Sequence, residues 1–487
     1  MRANILLFFA LYGVVVNGQV RQPHSLYFME TIPQVAQMNP AVQPRANGYV
    51  LLPANVNIDL HSNNLAVKDI LQQQGNKWYT PVEKKFDYNK LYKATGNKPT
   101  MFNLGVDVDI IGFGFRARRG YLSFGMSQHI SGTLVLPGDL FKITENGFPE
   151  GTKLDFSPLR TQAIGYMQFL VGYSYKLTDR LTIGTNVKTL VGQAAVATKI
   201  QKFRLNTGEQ QWDAEAKGNI YSSAPFEVIM NAEGKIHDIK EKSFKDYTGS
   251  DFVTDYITFF DNPGIAFDLG ATYQIDERLT VSASLNNLGF ISWKKDLNSM
   301  SFNGSYSFDG IKYDVSDDKD IEEYFEDLLD ELDDAVGYRV QHKKFKTPLT
   351  PVFHAGASYS LSKSVSAGFL SRTVFWENGV RQSFNLSLYL QPYSFVAFNA
   401  GVTYQVKGNV YLGGGLMFHL QPLPLQFYIL TDYAPVYYST LRVNEYEKIP
   451  IPEHQKSLTL RVGLNLIFGR HGYTNKPMLD KGKSSWN

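Results

Sequence analysis

Serine and histidine recur at two-residue spacing between residues 127 and 131, which could support hydrolytic chemistry. The segment reads Ser127-Gln-His129-Ile-Ser131. A histidine that reaches a serine hydroxyl can take its proton and activate the oxygen as a nucleophile. Residues two apart on a β-strand, however, point to the same face whatever their function, and nothing in the sequence marks an oxyanion site. We therefore expect no catalytic site here and no enzyme.

Other motifs that carry chemistry are missing from the sequence. We find no zinc-protease helix, no phosphate-binding loop and no nucleophile elbow. The chain has no cysteine, so a thiolate metal site, a disulfide and a lipid-modified N-terminal cysteine are all excluded. We expect no cofactor.

The acidic stretch around residues 316–335 is the best helix candidate in the chain. Apolar residues recur there at helical spacing, and carboxylates fill the intervening positions. One interpretation is a site for a cation, with Asp317, Asp318 and Asp320 as ligands. Lys319 stands where a calcium loop of the EF-hand type needs glycine, so we favour the other interpretation, a solvated helix packed on the rim of a larger fold.

A basic cluster lies in the segment Arg116-Ala-Arg-Arg119. It could pair with an anionic solute or with lipopolysaccharide phosphates, or it could simply be a solvated turn. The formal net charge of the whole chain is only +2, so we expect no nucleic-acid partner.

The elements that would position these residues are β-strands with alternating polarity. The last strand alternates most clearly, and one face is apolar: Leu458, Leu460, Val462, Leu464, Leu466 and Phe468. In a soluble sandwich such a face packs on a second sheet, whereas in a membrane barrel it faces lipid and the other face lines the lumen. Because the pattern recurs along the chain and no long apolar helix occurs, we favour the barrel. We expect this strand to carry the membrane-insertion signal.

The opposite faces of these strands carry small and polar side chains, which suit a water-accessible lumen better than a packed core. The predicted lumen residues are Asp268, Gln274, His354, Asn385 and Asn465.

Turn signals divide the strands into hairpins. Similar polar turns occur near residues 178, 277, 363 and 407, and we predict that all four lie on one side of the membrane. Long polar excursions at 136–160, 200–262 and 295–350 would then lie on the other, extracellular side. The predicted fold is all-β, a transmembrane antiparallel barrel of about 14 strands (about 12–16) with long extracellular loops and one short acidic helix.

The predicted organisation follows from these patterns. Residues 1–18 resemble a cleaved signal peptide, with one cationic residue before a short apolar run. Residues 19–46 form an irregular segment, periplasmic or entering the lumen, because prolines interrupt it. In a conduit, chain up to residue 60 could plug the lumen. The barrel spans 47–468, and 469–487 form a periplasmic tail.

Several segments resemble a family of outer-membrane barrels of uncharacterised function from Bacteroidetes-type bacteria. They are Ser25-Leu-Tyr-Phe-Met-Glu-Thr-Ile-Pro-Gln34, Gln37-Met-Asn-Pro-Ala41, the segment 112–124, Pro137-Gly-Asp-Leu-Phe141 and Leu285-Asn-Asn-Leu-Gly-Phe-Ile-Ser-Trp293. The Asn-Pro-Ala element is also similar to one in long-chain fatty-acid transporter barrels and in barrels that serve gliding-type secretion. The resemblance implies a barrel in the outer membrane of a Gram-negative bacterium and leaves the activity open.

Two functions are compatible with these patterns. The first is a passive channel or transporter for a small solute, hydrophobic solutes included. The alternative is a non-transporting scaffold that docks a secretion or cell-envelope complex through its loops or tail. In either case we expect a monomer whose partners are outer-membrane lipid, lipopolysaccharide and the barrel-insertion machinery.

Overall fold

Alternating polarity along fourteen strands produces one closed antiparallel sheet in the computed structural model of the chain. The described residues are 22–74, 77–80, 86–146, 150–224, 226–230, 236–241, 261–308, 338–376, 379–406, 408, 410–420, 422–434, 438–442, 448–452 and 456–470. The predicted all-β transmembrane barrel of about fourteen strands is confirmed.

The wall strands are numbered β1 to β14 in chain order. They are β1 (Ala46–Leu51 continued by Asn55–Ser62), β2 (Thr100–Ala117), β3 (Gly120–Leu136), β4 (Arg160–Lys176), β5 (Leu181–Thr207), β6 (Pro263–Gln274), β7 (Leu279–Trp293), β8 (Val352–Ser360), β9 (Val365–Trp376), β10 (Gly379–Tyr393), β11 (Val396–Gln405), β12 (Val410–Leu420), β13 (Leu425–Thr431) and β14 (Ser457–Arg470). Each strand pairs with its neighbours, and β14 pairs with β1 through Val462 opposite Val56, which closes the sheet.

Shorter elements decorate the wall. The α-helices are α1 (Val67–Ile70), α2 (Tyr88–Thr95) and α3 (Gly138–Asn146), and single 3-10 turns lie at His24–Leu26 and Pro33–Gln37. The remaining strands are Gln72–Gln74, Lys77–Tyr79, Lys153–Asp155, Trp212–Ser223, Phe226–Met230, Ile236–Glu241, Ser299–Phe308, Tyr338–Gln341, Phe345–Pro348, Tyr438–Arg442 and Lys448–Pro452. No helix in the described part of the chain is long and apolar enough to span a membrane.

The outer surface of the barrel is apolar. Large exposed side chains come from strands around the whole circumference, among them Phe113, Val171, Val187, Leu269, Phe353, Phe369, Leu386, Val402, Leu412 and Phe427. Soluble monomers rarely expose so much apolar surface, and lipid contact accounts for it. On β14 the residues Leu458 to Phe468 at even positions face outward, whereas Thr459, Arg461 and Asn465 are enclosed.

The two ends of the barrel differ in their connections. The short-turn end carries the links 118–119, 177–180, 275–278, 361–364, 394–395 and 421–424, whereas the long-loop end carries 63–99, 137–159, 208–262, 294–351 and 432–456. In the turn after β6, the Asp276 carboxylate accepts hydrogen bonds from the backbone N–H groups of Arg278 (2.7 Å) and Leu279 (2.8 Å). These bonds lower the pKa of Asp276, because they favour the charged form.

The prediction that the turn near 407 lies with those near 178, 277 and 363 is wrong. Between β8 and β12 the chain reverses four times, after Ser360, Trp376, Tyr393 and Gln405, so the last of these reversals lies at the long-loop end. The sequence Asn378-Gly379 is a strong hairpin signal, whereas Ser394-Phe395 has little turn character. A prediction that omits these two reversals places the turn near 407 relative to the others without them.

Two of the predicted excursions contain more ordered sheet than expected. Strand β5 continues to Thr207 and pairs with Trp212–Ser223, which in turn pairs with Ser299–Phe308. The sheet therefore extends beyond the fourteen-strand wall at the long-loop end. The strand Trp212–Ser223 has a buried side with Trp212 and Ala214, but its small and charged residues also suit a polar loop. The predicted acidic helix 316–335, the signal peptide 1–18 and most of the tail 469–487 lie outside the described residues.

Depth along β14 provides a test of the lipid-facing assignment. Arg at Leu464, near the middle of the strand, should cost about 2–4 kcal/mol of folding free energy, and Arg at Phe468, near its end, only about 0–1 kcal/mol. The measurement is the folded, heat-modifiable fraction of each variant in detergent gels. Equal fractions for Leu464→Arg and Phe468→Arg would contradict the assignment.

Candidate functional site

Residues 22–45, here called the plug segment, occupy the lumen of the barrel. Their side chains contact wall strands on opposite sides: Gln34 bonds Asn465 of β14, while Tyr27 bonds Ser282 of β7. Side chains of the segment such as Leu26 and Ile32 have no solvent exposure. The prediction that chain up to residue 60 could plug the lumen needs correction, because 46–62 pair as strand β1 in the wall.

One side of the plug segment is apolar. It packs against the inner face of β9 to β13 in a single buried cluster of Leu26, Tyr27, Met29, Ile32, Met38, Leu370, Tyr389, Ala397, Met417, Tyr428 and Leu430. The compact 3-10 turn at Pro33–Gln37 carries proline at its first position, where the missing N–H is not needed. Burial of several large side chains stabilises this contact by roughly 1.5–3 kcal/mol for each.

The Asn-Pro-Ala element, Asn39 to Ala41, seats the plug segment against β5 and β6. A Cβ atom at Gly184 would lie 2.2 Å from the Pro40 carbonyl oxygen, and one at Gly270 would lie 2.2 Å from the Asn39 side-chain oxygen. Only glycine allows the backbones to approach so closely. The motif noted in the sequence therefore marks the point where the plug segment meets the wall.

The other side of the plug segment is held by glutamine side chains. Gln34 Nε2 donates to Asn55 Oδ1 (2.8 Å) and to Asn465 Oδ1 (2.9 Å), and Gln37 Nε2 donates to Asp109 Oδ1 (3.1 Å). These contacts are neutral or charge-assisted hydrogen bonds, each worth about 0.5–3 kcal/mol. The polar side is therefore easier to exchange for water than the apolar side.

A buried ion pair anchors this polar side. Arg461 of β14 donates to Asp109 Oδ2 of β2 (3.2 Å), to Gln37 Oε1 (2.8 Å) and to the Tyr428 hydroxyl (3.3 Å). The side chain of Arg461 is 3% exposed and that of Asp109 is 10% exposed. A charge this deeply enclosed needs its partner, so the pair ties the closing strand to the plug segment.

The start of the plug segment is fixed by an acidic residue at the end of β13. The Asp432 carboxylate accepts hydrogen bonds from the backbone N–H groups of His24 and Ser25, and it also contacts the His24 ring. Both His24 and Asp432 are buried. The arrangement places the first described residues against the long-loop end of the barrel.

Beside the plug segment lies a cavity of about 80 Å³ that opens to solvent. Polar and charged groups line it, including Asp107, Ser127, His129, Gln168, Lys188, His354 and Arg372. Apolar groups lie among them, including Met38, Ile164, Leu170, Leu349 and Val352. Leu349 and Thr350 precede β8, so the cavity reaches toward the long-loop end.

The Ser127–His129 pair noted in the sequence faces this cavity. His129 Nε2 lies 2.8 Å from Ser127 Oγ, and His129 Nδ1 lies 2.6 Å from Asp107 Oδ1. Asp107 is absent from the sequence-based candidates because it belongs to the preceding strand. A β-bulge between Asp109 and Ile111 shifts the register, so that Asp107 lies opposite His129 and turns inward. The doubled isoleucine at 110–111, which breaks the alternation, is the signal that could have revealed it.

The predicted lumen residues differ in their positions. Asp268 is fully enclosed and accepts from Lys188 Nζ (2.8 Å), and Asn465 bonds Gln34 and Gln426. His354 lines the cavity, and Asn385 donates to Thr403 (2.9 Å). Gln274 is exposed at the short-turn end, outside the lumen.

The remaining predicted sites have other surroundings. Arg116 bonds Gln43 Oε1 (2.7 Å) and the Pro44 carbonyl (2.8 Å), so it holds the plug segment rather than an anion. Among the described residues, no group of three or more acidic and histidine side chains is arranged to hold a metal. Asp317, Asp318 and Asp320 lie outside the described residues, and a cation site there stays a prediction.

A closed fourteen-strand wall, an apolar exterior and a polar interior define a transmembrane β-barrel. The model described as "Family of unknown function (DUF5723)" matches residues 40–432, and the chain belongs to this family. No curated protein sequence matches the chain.

The fold is similar to several solved barrels. The toluene transporter TbuX of Ralstonia pickettii has a TM-score of 0.43 and 10% identity, with 94% of this chain and 100% of that chain covered. A FadL homologue of Pseudomonas aeruginosa has a TM-score of 0.41 and 12% identity, with 93% and 96% covered. The toluene transporter TodX of P. putida has a TM-score of 0.39 and 9% identity, with 90% and 95% covered.

The ion pair yields a stability prediction. Arg461→Met should lower the free energy of unfolding by about 3–5 kcal/mol, because it leaves the Asp109 carboxylate buried without a cation. Adding Asp109→Asn removes that stranded charge, so the double variant should recover part of the loss. Urea titrations of the barrel in lipid vesicles measure both values. A double variant no more stable than Arg461→Met would contradict the pairing.

Proposed function

We propose that this protein is an outer-membrane barrel that conducts a small solute when its plug segment moves. The observation that carries the proposal is the position of the plug segment, which fills the lumen beside a cavity of about 80 Å³. A barrel of this size without an internal segment would leave an aqueous opening. The chain supplies its own obstruction, and an obstruction made of non-covalent contacts can be displaced.

The outer surface of the wall supports a membrane location for the protein. Exposed apolar side chains such as Leu269 (53%) and Leu386 (64%) come from strands on different parts of the barrel. A closed sheet satisfies its backbone hydrogen bonds without an edge, as hydrocarbon requires. An antiparallel barrel with short turns at one end and long loops at the other matches barrels of the bacterial outer membrane. On that basis the long loops are extracellular.

The plug segment is attached to the wall differently on its two sides. This difference supports a movement in which the polar side detaches while the apolar side stays bound. The apolar cluster around Met29 and Ile32 fastens it to β9–β13, whereas Gln34 and Gln37 bond β14, β1 and β2 through polar groups. Water or a solute can replace those polar contacts at a cost of about 0.5–3 kcal/mol for each net hydrogen bond. Release of the polar side would join the cavity to the short-turn end and open a path.

The solute class follows from the lining of the cavity. Charged and amide side chains lie among the apolar Met38, Leu170 and Val352. A small molecule with one polar and one apolar part fits such a lining better than a bulk ion or a hydrocarbon alone.

Deleting residues 22–45 tests the conduit directly. The change leaves strand β1 intact and removes the obstruction, so single-channel conductance in planar bilayers should rise well above that of the full chain. A control variant replaces 22–45 by a glycine-serine linker of equal length, which keeps chain length and removes the packing contacts. It should conduct as the deletion does, because the linker makes no packing contacts with the wall.

The conduit is contradicted if none of the three proteins conducts current, although heat-modifiable gel migration shows that each is folded. The same preparations test location, because the full chain should fractionate with the outer membrane. Recovery of the protein in the soluble periplasm would contradict the membrane assignment.

The alternative is a scaffold that docks a secretion or envelope complex. The extended sheet at the long-loop end favours it, because Leu154, Phe156, Leu205, Trp212 and Ala214 form a separate buried cluster there. Such a cluster presents a pre-ordered surface beyond the wall. If the deletion variants are electrically silent, capture of an envelope partner through this surface or through the tail beyond residue 470 is the next experiment.

A further inference from the structure

We propose that Ser127, His129 and Asp107 form a serine-hydrolase centre that faces the lumen cavity and cleaves a small carboxylic ester. The three side chains lie in line, with His129 between a hydroxyl and a carboxylate. This activity goes beyond the proposed conduit, and it does not depend on solute passage.

The distances meet the requirements of a nucleophile and its base. Ser127 Oγ is 2.8 Å from His129 Nε2, and Asp107 Oδ1 is 2.6 Å from His129 Nδ1. A carboxylate at Nδ1 accepts the proton of that nitrogen, which leaves Nε2 as the acceptor for the serine hydroxyl. A histidine bonded only by the serine could adopt either tautomer. The Asp107 carboxylate fixes the tautomer in which Nε2 accepts the serine proton.

The surroundings hold the base in one orientation. The second oxygen of Asp107 accepts from Gln22 Nε2 (3.0 Å) and Asn57 Nδ2 (3.4 Å). The ring of Tyr166 stacks on the imidazole of His129 with centroids 4.8 Å apart and planes 17° apart. Fixed second contacts of this kind pre-organise a reactive group for proton transfer.

A donor for the oxyanion is also within reach of the serine. Gln168 Nε2 lies 3.3 Å from Ser127 Oγ, so it can turn to an oxyanion formed on the carbonyl that Ser127 attacks. A single side-chain amide stabilises an oxyanion less than paired backbone N–H groups do. This favours an ester, which is more reactive than an amide, as the substrate.

The cavity indicates which ester would fit. Ser127, His129 and Asp107 all line it, and so do Ile164, Leu170 and Met38. The apolar residues can receive a short acyl chain, and the polar residues among them can receive the alcohol part. The cavity of about 80 Å³ opens to solvent, so it admits only a small ester and excludes a folded protein or a long polymer.

The reaction balances with water as the second reactant. Ser127 Oγ forms a bond to the ester carbonyl carbon while its proton passes to His129 Nε2. The carbon–oxygen bond to the alcohol then breaks, and the alcohol leaves with that proton. Water attacks the acyl-serine and gives a proton to His129, which returns it to Ser127 Oγ as the carboxylic acid departs.

The test uses the purified full-length barrel in detergent with a fluorophosphonate probe and with p-nitrophenyl butyrate. Mass spectrometry should find the probe on Ser127 of the unaltered chain. Ser127→Ala and His129→Ala should each lower kcat at least about 100-fold. The matched control is Ser387→Ala, which removes an enclosed hydroxyl of β10 that does not line the cavity and should label and turn over as the unaltered chain does.

Two further variants test whether Asp107 and Gln168 act on the reaction or only contribute to packing. Asp107→Asn should lower kcat by roughly 1000-fold or more at unchanged KM, because the histidine loses its tautomer control. Gln168→Ala should lower kcat by about 100-fold.

The proposal is overturned if the folded, unaltered chain carries no probe on Ser127, or if Ser127→Ala hydrolyses the ester as fast as Ser387→Ala. The adduct is located on the unaltered chain, so a variant that fails to fold does not obscure the answer. Neither measurement involves conductance. The conduit proposal can therefore be contradicted while the hydrolase proposal is supported, and the reverse.

Discussion

Pairing of β14 with β1 is the constraint on which the rest of the structure depends. A sheet in hydrocarbon cannot leave an edge of unpaired N–H and C=O groups, each of which costs several kcal/mol, so fourteen strands must close into a ring. Closure creates an interior lined by the polar faces of the same strands. Those faces carry buried charges such as Arg461 and Asp109, and the plug segment supplies the hydrogen bonds that they need.

Strand alternation predicts much of this fold because the membrane enforces it. The lipid face of β14 and the number of strands follow from local pattern alone. The end at which the turn near 407 lies does not, because it depends on every reversal before it, and the reversal at Ser394-Phe395 has almost no turn signature. The strand Trp212–Ser223 does alternate, with Trp212 and Ala214 buried and Asp213 exposed, but the small residues on its buried face make this signal weak.

The interior is harder to predict than the wall. Asp268, His354, Asn385 and Asn465 do point inward, but what they meet there depends on a segment that is distant in sequence and has no periodicity. The register shift beside Asp109 likewise decides that Asp107 reaches His129. Spacing within one strand reveals the serine and the histidine, whereas only the pairing of two strands reveals the carboxylate. A polar network that seals a lumen and a catalytic arrangement can share the same side chains, because both need fixed, enclosed hydrogen bonds.

Disulfide trapping of the plug segment tests the central claim most directly, since the chain has no other cysteine. His24→Cys and Asp432→Cys join two residues that are in contact inside the barrel. In outer-membrane preparations treated with a mild oxidant and then denatured without reductant, a lumen-filling plug segment predicts that the double variant has formed an internal disulfide and takes up no maleimide reagent that shifts gel mobility, whereas each single variant takes up one label. Two labels on the oxidised double variant would show that the two residues are not in contact and contradict the claim.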